Sequence, residues 1–153
     1  MCFLLILLLS GCTSAAKKDA SDSFSFDLPS GYSITDRSET DCTIASQEGT
    51  PVGGIVLPEL TAKDLRKNSP RIMQYFDSRF PGCECAGWKE GTSRNPIYYT
   101  TITVTDPDAE TESQYYSILF RQNARIYDLW FDLSKIEKSQ IQKFDSVMVT
   151  NTK

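Results

Sequence analysis

Residues 97–132 hold three segments in which apolar and polar side chains alternate, separated by turn residues. Segment 97–104 places Tyr98, Ile102 and Val104 on one face. Segment 115–121 alternates through Tyr116, Ile118 and Phe120, and segment 125–132 aligns Tyr127, Leu129 and Phe131. A period of two marks a strand, because successive strand side chains point to opposite faces. Asp106-Pro107-Asp108-Ala109-Glu110 and Gln122-Asn123-Ala124 supply the turns, both too short for a parallel crossover. The segments therefore predict an antiparallel meander, whose apolar face needs a covering layer.

Two amphipathic stretches can provide it. Ser69-Pro70 offers an N-cap followed by proline at the first helical position. Ile72, Met73, Phe76 and Phe80 then share a face until Pro81-Gly82. Ser134-Lys135-Ile136-Glu137 fits a capping box opening a helix with Ile136, Ile141, Phe144, Val147 and Met148 inward. Nearer the N-terminus, Phe24, Phe26 and Leu28 alternate before Pro29-Ser30-Gly31, and residues 32–35, 42–46 and 52–57 read as short strands. Gly53-Gly54 predicts a bulge or a close backbone approach. Residues 60–68 suggest one helical turn plus loop, and 83–95 an irregular stretch. The whole reads as α+β: an antiparallel sheet of about six strands packed by a middle helix and a C-terminal helix.

The N-terminus has a different character. Residues 3–9 are an unbroken apolar run, followed by Ser10-Gly11-Cys12. Seven apolar residues are too few to span a bilayer but suit the core of an export signal. Leu9-Ser10-Gly11-Cys12 resembles the lipobox of bacterial lipoproteins, which implies that Cys12 becomes the acylated first residue of the mature chain. Residues 1–11 are then the signal, 12–23 a lipidated polar tether, and 24–153 one α+β domain. No Lys or Arg precedes the apolar run, a departure from the usual positive start of a signal. The expected location is the outer face of the cell membrane, with acylated Cys12 contacting membrane lipid.

Composition then restricts the chemistry. The chain has no histidine, which removes Ser-His-Asp and Cys-His nucleophile systems and imidazole zinc sites. A net charge of −4 argues against nucleic acid as a partner. No catalytic residue, cofactor or metal site is expected. Cys42, Cys83 and Cys85 remain after Cys2 and Cys12 are assigned, and an odd number outside the cell suggests one disulfide and one free thiol. Cys42 with Cys83 or Cys85 is the natural pairing, since a direct Cys83–Cys85 bridge is strained; buried, reduced thiols are the competing reading. Asp106, Asp108, Glu110 and Glu112 alternate as calcium ligands can, but the loop lacks the glycine that a calcium loop turns on. They read better as a solvated hairpin. Asp128 and Asp132 flank Trp130 at roughly 13 Å, too far apart for a glycosidase pair. The tyrosines of the meander read as packing residues. Trp88, in the glycine-rich stretch, is the better exposed ligand anchor.

The opening FSFDLPSGY, the middle helix, the meander and the closing helix resemble the Mog1/PsbP-like fold. The stretches DCTIASQEGTPVGGIVL and YDLWFDLS are similar to small Gram-positive extracytoplasmic domains, found alone as lipoproteins or fused to sensor-peptidases of the β-lactam-response type. The resemblance implies an accessory or sensing module on an antiparallel sheet packed by helices. The chain as a whole reads as a non-catalytic binding or accessory module with a membrane or envelope protein as partner. A sensor or immunity-type role and a carboxylate- or thiol-based enzyme are the alternatives.

Overall fold

The computed structural model describes residues 26–67, 69–90, 97–106 and 108–149. The signal, Cys12, the tether and Phe24 lie outside the described residues. The meander forms as the centre of a larger antiparallel sheet. Its strands are β5 (Ile97–Asp106), β6 (Thr111–Gln122) and β7 (Arg125–Asp132). Asn123 and Ala124, both at positive φ, make the two-residue turn between β6 and β7. β1 (Tyr32–Arg37), β2 (Asp41–Ser46) and β3 (Pro51–Val56) add to the β7 side, and β4 (Glu84–Glu90) to the β5 side. The order is β1-β2-β3-β7-β6-β5-β4, seven strands where about six were expected.

β4 is the strand that periodicity missed. Its register shifts between Ala86 and Lys89, where Gly87 adopts φ +67°. The shift puts half-buried Cys85 and Trp88 three residues apart in the same apolar cluster, so no period of two survives. Two further boundaries also differ from expectation. Phe26 and Leu28 pack against the core without forming a strand. Residues 61–67 make turns and no helix.

Helix α1 (Pro70–Arg79) starts after Ser69 as expected, although the Ser69 side chain makes no cap hydrogen bond. Its Ile72 and Phe76 join Tyr98, Ile102, Leu119 and Ile126 on one face of the sheet. The other face meets α2 (Lys138–Ile141), a 3-10 turn (Gln142–Phe144) and α3 (Asp145–Val149). There the Phe144 ring lies 4.8 Å from Phe131, and Ile141, Phe144 and Val147 close over Ile44, Ile55 and Leu129. The capping box does not form. Ser134 instead donates from both its backbone N–H (2.9 Å) and Oγ (2.7 Å) to Asp132 Oδ1, closing a turn at the end of β7. The helix begins four residues later, with Glu137 as N-cap.

Candidate functional site

Strand β7 is buried on both faces, and its alternation hides a charge. Tyr127, Leu129 and Phe131 belong to the cluster under the C-terminal helices, so Ile126, Asp128 and Trp130 point towards α1. Asp128 is 0% exposed. A carboxylate in that position requires donors, because an isolated buried charge is very costly. Three side chains converge on it. Ser117 Oγ donates to Oδ1 from the adjacent strand. Tyr75 Oη and Arg79 Nη1, one turn apart on α1, both donate to Oδ2 at 2.7 Å. Arg79 Nη1 also donates to Tyr75 Oη at 3.0 Å, which orients the phenol proton towards Asp128.

The electrostatics follow from burial. Burial pushes the Asp128 carboxyl above the ordinary carboxylate range, opposed by Arg79, Ser117 and Tyr75. The Tyr75 phenol is pushed far up, first by burial and then by the Asp128 charge, so it remains a donor. Arg79 carries the cluster towards solvent, with its side chain 22% exposed. Its guanidinium carbon lies 5.2 Å from the Trp130 ring centroid, 5.0 Å from Phe80 and 5.8 Å from Tyr75. Trp130 in turn lies against Gly54. A Cβ there would meet the Cys42 carbonyl oxygen at 2.5 Å and Trp130 Nε1 at 3.0 Å. The close backbone approach expected at Gly53-Gly54 is thus met, and a register shift lies beside it in the β2–β3 pair.

Arg79 and Trp130 stand at the edge of a groove of about 680 Å³ between α1 and strands β2 and β3. Arg71, Gln74, Tyr75, Ser78 and Arg79 form the helical wall, at the spacing of one helix face. Opposite stand Asp41, Thr43 and the segment Val56-Leu57-Pro58-Glu59-Leu60. The groove exists because α1 covers the β5–β6 half of this face and leaves the β2–β3 half open. A second hollow of about 640 Å³ lies on the opposite face, beside the stacked rings of Tyr99 and Tyr116.

The residues singled out in the sequence do not assemble here. Cys42, Cys83 and Cys85 are free thiols. Cys42 belongs to the core under the C-terminal helices and Cys83 and Cys85 to the cluster around α1, so the sheet separates the pairing expected of Cys42. Burial pushes the Cys42 thiol up to about 11 and Cys85 to about 12, away from nucleophile chemistry. Trp88 is no exposed anchor: it is half-buried, 6.3 Å from the Phe76 ring. Asp106 accepts from the Asp108 (2.9 Å) and Ala109 (3.2 Å) amides, and Asp106, Asp108 and Glu110 are all exposed at the β5–β6 hairpin. Among the described residues no group of His, Cys, Asp and Glu is placed to hold a metal, and no helix is long and apolar enough to cross a membrane.

Sequence reading passed over Arg79, Tyr75 and Ser117. The available signal was Asp128 itself, a charge within an otherwise apolar stretch of strand. Neither a known protein family nor any curated protein sequence matches this chain.

Proposed function

We propose that the chain is a membrane-anchored extracytoplasmic lipoprotein acting as a non-catalytic binding module, with the α1 groove as its ligand site. The placement of Arg79 carries this reading. A buried ion pair is poor value for stability, since well-packed apolar residues do as well or better. Its return here is a guanidinium held by a buried carboxylate and aromatic rings at the mouth of a groove. About 680 Å³ falls within the size range of small-ligand sites. The groove also offers little for catalysis. The Asp128 oxygens hold three donors, and burial keeps Tyr75 protonated. The location rests on the lipobox-like Leu9-Ser10-Gly11-Cys12. The finer assignment to the Mog1/PsbP-like fold rests on the FSFDLPSGY opening and the order of strands and helices.

Native mass spectrometry of protein extracted from membranes in mild detergent tests both parts. The expected mass is a chain beginning at acylated Cys12 with a bound component that Trp130→Ala loses. An unprocessed, unlipidated mass refutes the anchor, and a lipidated chain that is always solitary refutes the binding role. A co-purifying protein chain would move the reading to a sensor or immunity-type partner.

A further inference from the structure

Two cross-strand rows underlie the groove. Asp41 pairs with Val56 and Val56 with Asp128; Thr43 pairs with Gly54 and Gly54 with Trp130. Directly paired residues point to the same face of a sheet, so Asp41 and Asp128 both face the groove side. Two strand spacings put their backbones about 10 Å apart. Asp128 is capped by Arg79, whose hydrogen bonds to Asp128 and Tyr75 both leave from Nη1. Among the described residues Nη2 and Nε have no protein acceptor. An anion entering the groove therefore meets a positioned guanidinium edge, while the Asp128 charge lies beneath it, fully buried. At the other end of the same row stands the exposed carboxylate of Asp41. Between them the floor is apolar, formed by Val56 and by the Trp130 ring that covers Gly54.

We infer that the groove takes a short peptide of about three residues with free ends, its carboxylate on Arg79 and its ammonium at Asp41. Three extended residues span about 10 Å, which matches the row. The middle side chain lies over Val56 and Trp130, where an apolar residue fits. With no side chain at Gly54, the Trp130 ring rests close against the strand, and the peptide crosses over that ring. This rests on the groove being the binding site, and it adds the class of ligand.

Calorimetric titration of the full-length protein in mild detergent tests it, with Ala-Leu-Ala, its N-acetyl form and its C-terminal amide. The free tripeptide binds, and blocking either end weakens binding by about tenfold or more, the value of a charge-assisted hydrogen bond. Asp41→Asn, an exposed change, removes the penalty for N-acetylation and leaves the penalty for amidation. Equal binding of all three peptides overturns the inference, as does binding unchanged in Asp41→Asn and Trp130→Ala. No heat from millimolar Ala-Leu-Ala also overturns it. If that silence accompanies a membrane-extracted component that Trp130→Ala loses, the peptide class fails and the binding role stands.

Discussion

The two faces of the sheet are built on opposite terms. Under the C-terminal helices an apolar cluster runs without interruption from Cys42 and Ile44 on β2 to Ile118 and Phe120 on β6. It is closed by the Phe131–Phe144 ring contact. Under α1 the apolar cluster is smaller, and beside it sit a buried carboxylate, a mostly buried arginine and an open groove. One face gains stability from area removed from water, which is non-directional and tolerant of detail. The other holds charges whose desolvation nearly cancels their attraction, so its return is geometry. With the groove as the proposed ligand site, stability and binding would be divided between opposite sides of the same strands. A change on one side should leave the other readable.

The division can be broken most severely on the apolar face. Phe144→Ala should cost about 3–5 kcal/mol, the usual range for truncating a fully buried phenylalanine, seen as a lowered urea midpoint. A loss below 1 kcal/mol would mean that the C-terminal helices are dispensable to the core. On the α1 face, Arg79→Ala should cost about 3 kcal/mol by leaving Asp128 buried without its cation. The double change Arg79→Met with Asp128→Leu sharpens the contrast. It should recover only part of that loss, because Ser117 and Tyr75 are left without their acceptor, while abolishing ligand binding. If binding survives the double change, the ion pair is structural only.

Gly54→Ala tests the junction between the faces. The added methyl meets the Cys42 carbonyl oxygen and the Trp130 ring, so strand and ring must shift, at about 1–3 kcal/mol. A changed tryptophan emission spectrum should accompany the loss, and an unchanged one would show that the ring does not rest on β3. The smallest effect belongs to Cys42. Its folded thiol holds its proton to about pH 11, whereas the ordinary thiol value is 9.0. Between those values the unfolded chain releases a proton that the folded chain keeps, so stability falls as pH rises. Urea midpoints taken across this range should fall less steeply in Cys42→Ala than in the parent. Identical slopes would mean that Cys42 is not shielded by the apolar face.

Much of the apolar face could be read from the chain alone. Tyr116, Ile118, Phe120, Leu129 and Phe131 alternate with a period of two, and Ile141, Phe144 and Val147 recur at helical spacing. The failures have local causes. β4 carries a bulge at Gly87 that breaks its period, and Asp132 captured the serine expected to cap the last helix. Those are short-range competitions between turn chemistry and pattern, and pattern reading sees only the pattern.

The α1 face was far less legible, because its contacts join distant residues. Asp128 meets Tyr75 across 53 positions and Arg79 across 49. Which donors reach it depends on the β6–β7 register and on where α1 lies across the sheet. Local pattern was enough to settle the central strands, the helix after Ser69 and the absence of imidazole chemistry, since propensity and composition act residue by residue. It could not say that β3 joins β7, that Gly54 lies beneath Trp130, or that α1 leaves half a sheet face open. Those follow from long-range pairing and packing, in which each residue's partner is chosen by the whole fold.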